Sequence, residues 1–287
     1  MQSITGQLPT LNFRLVGDDE FRSRAELILG EAKVEHEWQR RDPCADAFRS
    51  SVCEDWPFLT DADFQLIDRH SNLLQFRSEP YAPDQAAAAC QRMLALGARL
   101  LEADGWAMKC ESSGISHARE TWLKLASRVD LGYRRLTQAI GTPRERLQDR
   151  RNFWAVLYQT LVDAPIQVYS VFYSCGMHLL GQPEFIVKDD HLGGDHAETA
   201  ADLFEAFAIH FLAECAPVGF QDGQSFGKAP SEASPFQLMW EACTEHGIDD
   251  CMHNPFGRWR FTRGLRKDRV HQGNCLAEQH VGPRVAT

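Results

Sequence analysis

A long amphipathic helix held between strand-like segments constrains this chain more than any other feature. Between Asp84 and Glu102, apolar residues recur at helical spacing: Ala86, Ala89, Cys90, Met93, Leu96, Gly97, Leu100 and Leu101. Pro83 suits the first turn of that helix, and Asp104-Gly105 ends it. Before it, Phe64 to Asp68 and Leu73 to Arg77 predict paired strands around a polar turn; after it, Trp106 to Cys110 has strand character. A helix with one apolar face among such strands must lie on a sheet. The expected class is therefore α+β, a mixed or antiparallel sheet with long amphipathic helices on one face.

The remaining elements follow the same logic. Leu11 to Val16 predicts a strand, Asp18 to Gln39 a charged helix, and Arg40 to Asp63 an irregular stretch. Ser116 is placed to cap a helix through Trp122, Leu123, Ala126 and Val129. Thr142-Pro143-Arg144-Glu145 combines a capping threonine, a first-turn proline and a capping-box glutamate. Phe153 to Gln159 and Ile166 to Ser174 predict strands, being rich in aromatic and β-branched residues. A helix opens at Asp195-His196-Ala197-Glu198 and runs to about Glu214; Gly219 to Gly227 is turn-rich, and a short helix is expected around Trp240 and Cys243. LLQFRS–helix–WAMKCESSG and VYSVFYSCG–helix–APVGFQDGQSFG suggest two pseudo-symmetric β-α-β units. No linker forces a boundary, so 1–287 reads as one domain with halves at 1–130 and 131–260 and a basic tail at 261–287.

At 44% hydrophobic and 24% charged residues, the 287-residue chain has a core-forming composition. Its formal charge of −10 makes nucleic acid and anionic membranes poor partners. That charge is uneven: seven basic residues against two acidic ones from Phe256 onward give +5, leaving −15 on the first 255 residues. No run of about 18 apolar residues is present to span a membrane. Nine cysteines, an odd number scattered through apolar segments, argue for reduced thiols and a cytoplasmic location, and no signal peptide is visible.

Three constellations are candidates for chemistry. Cys243, His246, Cys251 and His253 are zinc-competent types, but the one-residue gap in Cys251-Met-His253 is tighter than common structural sites use. Cys175 and His178, with His191 and His196 downstream, could supply a thiolate and its base, or a divalent-metal site for a hydrolase. Lys109-Cys-Glu-Ser-Ser-Gly-Ile-Ser-His117 pairs a Ser-Ser-Gly turn with a helix start at Ser116, where backbone N–H groups could bind an anion. None carries a hydrolase elbow, phosphate loop or dinucleotide fingerprint, so no cofactor is expected.

The acidic surface carries more information. Glu184, Asp189, Asp190, Asp195, Glu198, Asp202 and Glu205 stand against a single base, Lys188, and five acids between Glu232 and Asp250 stand against none. Such clusters steer a basic or mixed-charge protein partner.

Four short motifs carry a resemblance. Gly176-Met-His-Leu-Leu-Gly-Gln-Pro-Glu184, Asp222-Gly-Gln-Ser-Phe-Gly227, Asn254-Pro-Phe-Gly-Arg-Trp259 and Lys109-Cys-Glu-Ser-Ser-Gly114 span about Lys109 to Arg260. Through them the chain resembles a bacterial family of uncharacterised domains, similar to type VI secretion immunity proteins. The resemblance implies a cytoplasmic α+β protein that neutralises a toxin by occluding it, and it carries over no active-site residue. The competing expectation is a metal- or cysteine-dependent hydrolase built on Cys175, His178, His191 and His196.

Overall fold

In the computed structural model, residues 8–40, 48, 59–192, 196–215, 221–226, 236–243 and 254–263 are described. The first half builds a five-stranded antiparallel sheet in the order β2-β3-β1-β4-β5, from β1 (Asn12–Gly17), β2 (Glu35–Arg40), β3 (Asn72–Arg77), β4 (Ala107–Cys110) and β5 (Ser116–Ala118). Alternation along β1 decides its faces: Phe13 and Leu15 enter the main core, with Leu15 opposite Leu74 and Met108. Val16 instead joins Leu73, Ala107 and Ile67 in a small cluster on the opposite face.

Long helices cover the main-core face. They are α1 (Asp19–Ala32), α3 (Ala86–Glu102) and α4 (Arg119–Gln138), whereas short α2 (Asp61–Ile67) sends Ile67 to the small cluster. The expected strand at Phe64–Asp68 is thus a helix, because Thr60 and Asp63 form a capping box that starts one. The long helix expected at Asp18–Gln39 stops at Ala32, where Lys33 turns left-handed (φ 54°) and β2 begins. Ser116 lies in β5 rather than capping a helix, and α4 starts at Arg119.

The second half opens with α5 (Pro143–Leu161), whose interior contains the expected strand Phe153–Gln159. Its capping box and buried Phe153, Val156, Leu157 and Leu161 hold those residues helical against local strand preference. The single strand expected at Ile166–Ser174 is a hairpin, β6 (Asp163–Val168) and β7 (Val171–Cys175). An unanticipated β8 (Glu184–Lys188) follows, then α6 (His196–His210), β9 (Ser225–Phe226), β10 (Phe236–Glu241) and β11 (Arg258–Arg263). The sheet order is β6-β7-β8-β11-β10-β9, antiparallel except for the parallel β8–β11 pair. Trp240 is a strand residue opposite Trp259, correcting the short helix expected there.

The first β-α-β unit is realised as β3-α3-β4, but in the second β7 leads straight into β8 before α6. The closing strand read at the start of APVGFQDGQSFG lies largely outside the described residues. One hydrophobic cluster joins residues from Leu11 to Phe261, and within it Tyr133 of α4 meets Phe153 of α5 at 6.0 Å. Among the described residues no helix is long and apolar enough to cross a membrane.

Candidate functional site

The backbone of the turn after β7 is closely specified. Gly176 sits at φ 118°, and a Cβ there would stand 2.3 Å from the Leu161 carbonyl oxygen and 2.9 Å from Ser113 Cβ. Only glycine meets both conditions. Gly181 (φ 72°) is pressed against Pro83, whose Cα and Cβ would each stand 2.8 Å from an added Cβ. Tyr81 Oη donates to the Leu179 carbonyl (2.8 Å), and Cys175 Sγ lies 3.8 Å from the Ser112 carbonyl. Segment 176–181 is therefore seated on the first half of the chain, against the Lys109–Gly114 turn and the start of α3.

Glu184 is the centre of this region. It is buried, and its carboxylate accepts from Ser174 Oγ (2.7 Å), the Gly176 and His178 backbone N–H groups (3.1 and 3.2 Å), His178 Nδ1 (3.1 Å) and Asn254 Nδ2 (3.1 Å). Such a set of donors offsets the cost of burying the charge. Ser174 Oγ in turn accepts from the Phe185 N–H at 2.8 Å.

Asn254 extends the network to the next turn, where its Nδ2 reaches the Gln182 carbonyl and its Oδ1 accepts from the Phe256 N–H. Gly257 (φ 80°) follows, and its carbonyl takes the Glu184 N–H, starting the parallel β8–β11 pair. Arg260 and Arg258 then clamp Glu241 across the sheet and hold its carboxyl below the usual range. A cleft lined by Tyr173, Ser174, Glu184, Cys243, Asn254 and Arg258 encloses about 10 Å³, room for one water.

Three of the four resemblance motifs thus meet in space. Lys109–Gly114 packs on Gly176–Glu184, and Asn254–Trp259 is bound to Glu184. The fourth runs into β9, and its Asp222 Oδ1 accepts from the Trp240 N–H of β10 (2.9 Å); Gly227 lies outside the described residues. Chemically, the Glu184 network fastens two turns to two strands. Sequence reasoning missed Ser174 and Asn254 as its partners; the one available signal was a glutamate opening the apolar run Glu-Phe-Ile-Val.

The expected hydrolase residues are directed elsewhere. Cys175 is buried, His178 is held by Glu184, His191 Nδ1 faces the Phe261 carbonyl (3.3 Å) and Nε2 faces Asp190 (3.7 Å), and His196 pairs with Asp189. Among the described residues no three His, Cys, Asp or Glu groups are placed to hold one metal ion. Of the Cys243, His246, Cys251 and His253 group only Cys243 is described.

Of the acids expected to face a partner, Glu184 is buried, with its carboxylate turned to the network described above. Asp190 is 78% exposed, Asp189 is partly covered beside His196, and Asp195 lies outside the described residues. Glu198 and Asp202 are exposed on α6, one turn apart, and Glu205 follows on the same side, half-buried and accepting from Gln159 Nε2 at 3.3 Å. Beneath them, burial pushes the Asp163 carboxyl up to about 6 and raises the Tyr158 phenol, with Glu205, Glu184 and Asp163 adding to the latter.

No family model, no curated protein and no solved structure matches this chain.

Proposed function

We propose that this chain is a non-enzymatic, cytoplasmic protein-binding protein of the immunity type, which neutralises a toxin by covering its working surface. One observation carries the reading: the polar groups around Cys175–Glu184 are turned inward to hold the fold, while Asp190, Glu198 and Asp202 face solvent. A buried carboxylate engaged by five donors serves as an anchor for turns, and taking up a proton there would cost some of those contacts. Exposed carboxylates of one sign instead accelerate encounter with a basic partner.

The test is capture of the tagged full chain from its native cytoplasm at low salt, with mass spectrometry of bound protein. The expected result is a stoichiometric partner whose affinity falls as salt rises, and whose toxicity on expression is relieved by this chain. Failure to recover a stoichiometric partner, or toxicity unaffected by the chain, overturns the reading.

A further inference from the structure

We draw no further inference here: the strongest candidate, the largely apolar row of Ile166, Tyr173, Ile186, Arg260 and Met239 in register across β6, β7, β8, β11 and β10 on the sheet face turned away from the main core, carries nothing because nothing in the structure shows what covers it.

Discussion

Glu184 shows how one buried charge can organise several backbone segments. Its five donors come from Ser174, Gly176, His178 and Asn254, and two of them are backbone N–H groups. Glu184→Ala should therefore cost about 3–5 kcal/mol, combining lost hydrogen bonds with donors left facing an apolar space. Urea denaturation measures it, and a midpoint unchanged from wild type would sink the account. Tyr169 makes the opposite case: its left-handed φ of 53° is a local cost, and its side chain is 94% exposed. Tyr169→Gly should raise stability by up to about 1 kcal/mol, the relief of strain being reduced by glycine's greater freedom in the unfolded chain. A lower denaturation midpoint for that variant would show that the ring makes stabilising contacts in the isolated protein. Neither residue was legible from composition. A window count of acids places Glu184 with Asp189 and Asp190, because it does not register that residues 184–187 are all buried.

Elements were legible where start signals are local and misread where long-range packing decides. The capping box at Thr142 marks the start of α5, with Glu145 Oε2 accepting from the Thr142 N–H (2.7 Å) and Thr142 Oγ1 accepting from the Glu145 N–H (3.3 Å). Yet Phe153-Trp-Ala-Val-Leu-Tyr reads as a strand by propensity, and its packing against α4 and α6 adds to the cap in keeping it helical. Thr142→Ala should cost about 1 kcal/mol and leave helix content nearly intact, checked by circular dichroism and thermal unfolding. A large loss of helix would mean that the cap, rather than packing, holds α5. The α3 helix and its flanking strands were fully legible, since periodicity and punctuation agree along a continuous stretch. The parallel pairing of β8 with β11 was not, because Glu184 and Arg258 are far apart in sequence and are registered by the turn chemistry of Asn254 and Gly257.

At the scale of the whole molecule, the contact between the two halves contains a pair of opposed titrations. His117 is fully buried on β5, its Nε2 facing the Thr160 carbonyl of α5 at 2.9 Å; burial lowers its pKa to about 4 from 6.5, the hydrogen bond opposing the shift. Asp163, just beyond α5, is raised by burial from 3.8 to about 6. Between pH 6.5 and 4 the unfolded chain takes up the proton that His117 refuses, so this group destabilises the fold as pH falls. Over nearly the same window the folded chain holds the proton on Asp163, whose contribution is full below about pH 4 and lost as pH rises through 6. The two slopes have opposite sign, and each integrates to about 3 kcal/mol, so they nearly cancel in the native protein. Asp163→Asn removes one arm. Its stability should equal or exceed wild type at pH 7 and fall by roughly 1.4 kcal/mol per pH unit relative to wild type between pH 6 and 4. His117→Gln should shift the balance the other way, gaining relative stability on acidification. Urea midpoints at pH 4, 5, 6 and 7 for the three proteins decide it: parallel pH profiles would mean that neither group's protonation is linked to folding, whereas diverging ones would show an acid-sensitive joint between the halves whose net sensitivity is set by this pair.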